Sequence, residues 1–298
     1  METVIPPLAS LEATTASLEF LTARPEYTED KPYYISHPLP PEYESRRTNL
    51  KYERHTVSAY DIRGHEHLLN IERDGIQFIK LPSVVEFSES SSDERDKIQQ
   101  YLKETVCWAK DLLNANLCVA YSYVFRKATD IPNPAGVPSG TQERPDEPSN
   151  NPHIDQSEGG GFRRVSRHLT GEERAELLDS NRYRLRIINI WRPLRHKADT
   201  HPLLFCNPAS IDRDEDLVAV DRVGSSYLGE VYYVRYNANQ RWYWLSGMGP
   251  SEIALFVSFD SESKFQVIPH TSFHHPSPSI EAKPRESLEI RIIVANIK

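Results

Sequence analysis

Two ligand-type side chains stand two residues apart in the segment His153-Ile154-Asp155. On an extended backbone, residues i and i+2 face the same side, so this imidazole and this carboxylate converge. One more imidazole from a neighbouring strand would complete a two-histidine, one-carboxylate set. Such a set holds iron(II) on one face and leaves positions open for oxygen and a co-substrate. The chain has 11 histidines, and position favours His270, which closes an expected strand from Phe265 to Ile268 and shortly precedes another. His274 and His275 are its rivals, set beside Pro276 in what reads as a loop.

Iron(II) oxygenases often consume 2-oxoglutarate, whose far carboxylate needs a fixed cation. Arginine suits that task because its planar fork grips a carboxylate through two parallel hydrogen bonds. Arg285 begins a strand in which Arg285, Ser287, Glu289 and Arg291 share one face by parity. That polar line marks either a polar cavity or a solvated sheet face. The plainer alternative has His153 and Asp155 capping a turn while Arg285 and Arg291 pair with Glu286 and Glu289 on the surface. Asn189 and Trp191 share a face, with Arg192 pointing the other way. Trp191, Trp242 and Trp244 either shape a substrate pocket or pack in the core. Arg126, at the end of the strand Leu117 to Phe125, either meets an acidic substrate or is a solvated strand end.

The elements that must position these residues are mostly short strands. Strands are expected at His55 to Ile62, Ile76 to Leu81, Leu117 to Phe125, Tyr183 to Trp191 and Glu230 to Tyr236. Further strands are expected at Trp242 to Leu245, Ile253 to Phe259, Phe265 to Ile268 and Ser287 to Ala295. Ile98, Leu102, Val106, Ala109 and Leu113 recur at helical spacing, predicting a helix over Asp93 to Asn114 behind N-cap candidates at Ser90 to Asp93. A second helix is expected over Thr170 to Asn181, with Thr170 and Glu173 as a reciprocal capping pair. Leu8, Leu11, Leu18 and Leu21 suggest one face of a short N-terminal helix, and the proline-rich stretch 25–41 an extended surface segment. The segment 129–152 reads as a long loop leading to His153, placed to act as a lid. This order of elements predicts a mainly β chain, a jelly roll with flanking helices, rather than a parallel α/β sheet. Residues 1–54 are expected to form an arm packed on a core domain of residues 55–298.

With 298 residues the chain can bury a sizeable core, and 35 basic against 43 acidic residues give a net charge of −8. An acidic chain argues against nucleic-acid binding, which draws its affinity from cationic contacts to phosphate. Three scattered cysteines give neither a disulfide framework nor a Cys-x-x-Cys site. No apolar run is long enough to span a membrane, and neither terminus carries a targeting or lipidation signal. A cytoplasmic protein with a small-molecule partner is expected, neither nucleic acid nor membrane being called for; a homodimer stays open.

Several segments together resemble a known family. They are Tyr60-Asp61-Ile62-Arg63-Gly64, Asn151-Pro152-His153-Ile154-Asp155-Gln156-Ser157 and Asn189-Ile190-Trp191-Arg192-Pro193-Leu194. Tyr232-Tyr233-Val234-Arg235-Tyr236, Arg241-Trp242-Tyr243-Trp244, Pro269-His270-Thr271-Ser272-Phe273 and Arg285-Glu286-Ser287-Leu288-Glu289-Ile290-Arg291 complete the match. Over roughly residues 55 to 298 the chain resembles the fungal AsaB-type hydroxylase/desaturase family, related to gibberellin desaturase-like proteins, among the non-haem iron(II), 2-oxoglutarate-dependent oxygenases. The resemblance implies a double-stranded β-helix and iron(II) held by His153, Asp155 and His270, which would then be the catalytic centre. It also implies 2-oxoglutarate and O2 as co-substrates, with Arg285 on the 2-oxoglutarate carboxylate, Ser287 beside it and Arg291 as the second candidate. Asn189, Trp191, Arg126 and Trp242 are the candidate substrate contacts. His274-His275 departs from the acidic residue more usual after Phe273. The implied activity is hydroxylation, desaturation or oxidative rearrangement at an unactivated C–H bond of a small secondary metabolite. A non-catalytic jelly-roll binding protein and a metal-dependent hydrolase on the same three ligands are the rival classes.

Overall fold

Runs such as Ile187-Ile188 and Ile292-Ile293-Val294 are apolar on both faces of a strand, which is the pattern of a sheet covered on both sides. The computed structural model, which describes residues 10–83, 85, 87, 94–128, 141, 145–262 and 266–298, places them in the middle of such a sheet. In chain order the strands are β1 (Ala13–Leu21), β2 (Tyr33–Ile35), β3 (Tyr52–Asp61), β4 (Ile76–Lys80), β5 (Leu117–Lys127), β6 (His153–Ile154) and β7 (Tyr183–Pro193). There follow β8 (Leu203–Cys206), β9 (Leu217–Val223), β10 (Leu228–Val234), β11 (Trp242–Trp244), β12 (Glu252–Asp260), β13 (His270–Ser272) and β14 (Glu286–Ile297). One sheet has the order β1-β3-β11-β8-β13-β6-β10-β9-β2 and the other β4-β12-β7-β14-β5. The fold is the expected jelly roll, mainly β with a few helices. Pairing is antiparallel throughout except β3 with β11 and β2 with β9.

Parity on the five-stranded sheet decides what each side chain meets. On β7 and β14, Ile188, Ile190, Leu288, Ile290 and Ile292 join one apolar core with Ile98, Tyr101 and Ala109 of the long helix and with Leu113 just past its end. The α-helices among the described residues are, in chain order, α1 (Ile71–Asp74), α2 (Glu94–Leu112), α3 (Glu158–Arg167), α4 (Gly171–Arg174) and α5 (Arg213–Asp216). Arg192 follows the same parity, donating to the Tyr101 hydroxyl on α2 at 2.7 Å. The opposite parity turns Asn189, Trp191, Ser287, Glu289 and Arg291 inward, toward the nine-stranded sheet. A row of polar side chains at positions where a core is expected marks a polar cavity, and it excludes the solvated sheet face. Arg285, Ser287 and Glu289 are all buried, so the surface pairing of Arg285 and Arg291 with Glu286 and Glu289 does not occur as such.

Several local expectations are revised. Leu11, Leu18 and Leu21 do not lie on a helix. Ala13–Leu21 is strand β1, paired along β3 from Ala13 opposite Tyr60 to Leu21 opposite Tyr52. Ala16, Leu18 and Phe20 are fully buried at a spacing of two, and this period outweighs the leucine spacing. Leu8 lies outside the described residues, as do Ser90 to Asp93 and most of the 129–152 loop. The 25–41 stretch is not continuously extended: 3-10 turns at Pro25–Thr28 and Pro41–Arg46 flank β2. Phe265, where a strand to Ile268 was expected to start, lies outside the described residues; the strand observed here is His270–Ser272, just past Pro269, which has no N–H to give a ladder. The Thr170 and Glu173 capping box is present, but α4 passes into a π-turn at Ala175–Asp179.

Helix α3 was not legible, since its first residues are Glu158-Gly159-Gly160-Gly161. Ser157 caps it, its Oγ accepting from the Gly160 N–H at 3.0 Å. The glycines serve close approach. A Cβ at Gly160 would lie 2.1 Å from the Glu230 carbonyl oxygen on β10, and one at Gly161 2.0 Å from the Phe259 ring on β12. By contrast, a Cβ at Gly171 meets nothing within 4 Å. In guanidinium unfolding, Gly160→Ala and Gly161→Ala should each cost about 1–3 kcal/mol through overpacking. Gly171→Ala should stay within about 0.5 kcal/mol of the parent.

Candidate metal centre

The short strand β6 lies between β13 and β10 in the nine-stranded sheet. It pairs His153 with His270 on one side and with Tyr233 on the other. The two imidazoles therefore face one another across an antiparallel pair, their ring centres 4.5 Å apart. Asp155 follows immediately. Potential ligand atoms of His153, Asp155 and His270 all lie within 4.8 Å of one another, and His153 Nε2 stands 3.5 Å from Asp155 Oδ1. Among the described residues no other histidine, cysteine or carboxylate joins this group. His274 packs edge-on against His201 and His275 tilts against Trp244, so neither rival is a donor there.

The donor set fits a metal ion. His153 Nδ1 sits 2.8 Å from the Asn151 carbonyl oxygen and His270 Nδ1 3.1 Å from that of Ile268. Each contact places the ring proton on Nδ1 and leaves the Nε2 lone pair for a cation, the usual way a backbone carbonyl orients a ligand imidazole. Burial, together with the neighbouring His153, pushes the His270 imidazole down to about 3, so it is a neutral donor. Burial acts to raise the Asp155 carboxyl, but Arg291 and the two imidazoles outweigh it and hold the group well below the usual carboxylate range. Arg291 Nε donates to Asp155 Oδ2 at 3.0 Å, and the Asn189 amide donates to the same oxygen at 2.6 Å. Ser258 Oγ lies 3.2 Å from Asn189 Oδ1, which fixes the way that amide points.

Beside the triad is a cleft of about 320 Å³ of empty space, walled by His153, His270, Trp191, Arg285, Arg126 and Arg291 among others. Arg285 stands in its wall, 1% exposed, with its guanidinium 5.3 Å from the Trp191 ring centre. Its hydrogen bonds run to neutral oxygens: the Ser287 hydroxyl at 3.2 Å, the His201 carbonyl at 2.9 Å and the Ser272 hydroxyl at 3.0 Å. Burial and the nearby Arg126 lower it to about 9. A buried guanidinium without a carboxylate among its hydrogen-bond partners is suited to an acidic ligand. Arg291 is engaged differently. Burial acts to lower it, yet Asp155 and Glu289 raise it, the latter oxygen lying 2.6 Å from Nη2.

Of the residues singled out in sequence, the structure puts His153, His270, Arg285, Arg291, Trp191 and Arg126 in the walls of this cavity, with Asp155 beside the two imidazoles and Ser287 against Arg285. Trp242 is not among them. It is wholly buried on β11 between β3 and β8, edge-on to Phe20, and packs in the core. Asn189 touches Asp155, so its place is behind the triad. Ser272 was overlooked, although it stands two residues beyond His270 on a strand and parity would have found it.

A family model described as Oxidoreductase/YMDC permease-like domain matches residues 18–295. The chain belongs to that family. Despite the word permease in its description, no helix among the described residues is long and apolar enough to cross a membrane. This Oxidoreductase/YMDC permease-like chain is 29% identical over 259 residues to the hydroxylase/desaturase CTB9 of Cercospora beticola, covering 82% of this chain and 77% of that one. It is 25% identical over 278 residues to the Fe(II)/2-oxoglutarate-dependent dioxygenase nvfI of Aspergillus novofumigatus, covering 90% and 91%. The solved structure of the iron and alpha-ketoglutarate-dependent endoperoxidase NvfI superimposes with a TM-score of 0.78 at 22% identity, over 96% of this chain and 99% of that chain, a likeness of fold. The expected kinship with fungal hydroxylase/desaturases holds.

A metal titration checks the geometry. The apoprotein should bind one equivalent of Co(II), read from its visible absorption. His270→Ala and Asp155→Ala should each weaken binding about a hundredfold or more, since a three-donor site loses a donor.

Proposed function

We propose that the chain is an Fe(II)- and 2-oxoglutarate-dependent oxygenase that acts on an unactivated C–H bond of a small secondary metabolite. The observation that carries this reading is the pairing of a His153, Asp155 and His270 donor triad, its Asp155 and His270 buried, with an Arg285 guanidinium whose hydrogen bonds among the described residues all go to neutral oxygens. His153, Asp155 and His270 would hold the iron, and Arg285 the far carboxylate of 2-oxoglutarate. Bound iron with 2-oxoglutarate and O2 supplies the oxidising power to remove hydrogen from a C–H bond.

The protein's own part is positioning and charge. Ser287, Ser272 and the His201 carbonyl hold the Arg285 fork in place before a ligand arrives, so little side-chain freedom is lost on binding. Trp191, stacked over that guanidinium, closes one side of the cleft and keeps water from the carboxylate pair. Asn189 and Arg291 hold Asp155 ionised and aimed, which keeps it a ligand and not a proton donor. Glu289 is engaged by Arg291, so it is not a free carboxylate beside the triad as hydrolysis would require of a general base. Arg291 already has two carboxylate partners, which favours Arg285 over it for the co-substrate.

Binding of 2-oxoglutarate beside Trp191 should change the tryptophan fluorescence of the Mn(II)-loaded protein. Arg285→Ala should raise the 2-oxoglutarate dissociation constant about a hundredfold, as expected when a buried carboxylate loses its charged partner. Arg291→Ala should instead weaken the metal site. The reversed pattern would exchange the two roles. Iron-dependent succinate release should be abolished in His153→Ala and Asp155→Ala, and an unchanged rate would end the oxygenase reading.

A further inference from the structure

Asp155 and Arg291 also wall a second cleft, of about 1140 Å³ of empty space, which shares none of Arg285, His270 or Trp191. Its other walls come from α3 (Arg164), the segment after β2 (His37), β9 (Arg222) and the turn before β10 (Tyr227). Three polar atoms there are buried without a hydrogen-bond partner among the described residues: Arg164 Nε, Tyr227 OH and His37 Nδ1. Buried polar atoms left unpaired are rare and costly; Arg164 Nε can only donate and the other two are able to donate, so three of them in the walls of one cleft call for a ligand that accepts hydrogen bonds.

Charge narrows the class of that ligand. The acids on this wall are already engaged, Asp155 by Arg291 and Glu230 by Lys31 and by the Ser157 hydroxyl. Arg163 adds a more distant contact to Glu230, at 3.6 Å. Arg164 and Arg222 have no carboxylate partner among the described residues; each is held by aromatic faces instead. The Arg164 guanidinium lies 4.1 Å from the Tyr227 ring centre and 5.8 Å from that of Tyr121, and Arg222 lies 5.7 Å from that of Tyr34. Two cations thus face the cleft uncompensated, and Arg164 rides on the helix that Gly160 and Gly161 press against β10 and β12. We propose that this cleft seats the acidic group of the organic substrate, a carboxylate or an equally acidic enol, with Arg164 as its principal anchor and Tyr227 and His37 as further donors. The assignment of a substrate rests on the oxygenase reading; the acid-binding cleft can be tested without turnover.

The probes are 2-naphthoate and its methyl ester, titrated calorimetrically into the Mn(II)-loaded protein with and without saturating 2-oxoglutarate. The acid should bind at least about tenfold more tightly than the ester, a difference of about 1.4 kcal/mol. R164M should lose about tenfold or more of that affinity and R164K should lose less than R164M, since lysine keeps the charge but neither the planar fork nor the stacking on Tyr227. Equal binding of acid and ester, unchanged binding to R164M, or no binding at millimolar concentration would overturn the proposal. So would displacement of naphthoate by 2-oxoglutarate, which would place it at Arg285. Failure of the wild type to bind or consume 2-oxoglutarate is a separate result, and it would sink the oxygenase reading while leaving the naphthoate titrations of the cleft intact.

Discussion

The Asp155 carboxylate is buried inside the barrel, and an ionised acid there is tolerated only while it is fully engaged. Arg291 supplies the opposite charge, Asn189 a short amide hydrogen bond, and the two imidazoles complete its surroundings. Removing one member of such a buried set costs about 3–5 kcal/mol, because a charge is left stranded in low dielectric. These partners come from different places. Asp155 follows a two-residue strand in the nine-stranded sheet, while Arg291 and Asn189 lie opposite one another on adjacent strands of the five-stranded sheet. The carboxylate therefore ties the two layers together beside the His153 and His270 imidazoles.

Around this junction the clefts are lined with cations, from buried Arg285 to exposed Arg222, although the chain as a whole carries a net charge of −8. Arg285, Arg291 and Arg126 wall one cleft, and Arg164, Arg222 and again Arg291 wall the other. Low-dielectric walls strengthen the field of such charges, so two clefts beside one donor set can each capture an anion. Among the described residues, only Arg291 of these five is paired with carboxylates of the chain itself. An enzyme that must bring a dicarboxylate and an acidic substrate to the same ion has use for this division of labour.

The donor pair His153 and Asp155 was readable because strand parity is a local property of the backbone. The same parity placed Arg285, Ser287, Glu289 and Arg291 on one face and set Arg192 apart from Asn189 and Trp191. Helix α2 was legible from its period, and β7, β12 and β14 from their density of branched side chains. Elsewhere local signals misled. The leucines near the N-terminus fit a helical face, yet the alternation of Ala16, Leu18 and Phe20 governs because β3 offers a partner strand. The glycines of α3 read as a breaker, although their purpose is to let a helix approach two strands more closely than any side chain would allow. Trp242 looked like a pocket residue by type, and its burial between β3 and β8 could not be foreseen from its neighbours in sequence.

The sequence by itself determined the class of fold, the ligand types and the strand that carries the basic residues, because periodicity and residue chemistry act over a few positions. Which histidine faces His153 and which arginine meets Asp155 were decided by sheet register. His270 rather than His274 lies across from β6, and Arg291 rather than Arg285 lies across from Asn189. Such pairings depend on the crossing of strands far apart in the chain, and the free energy that selects them comes from the whole assembled barrel.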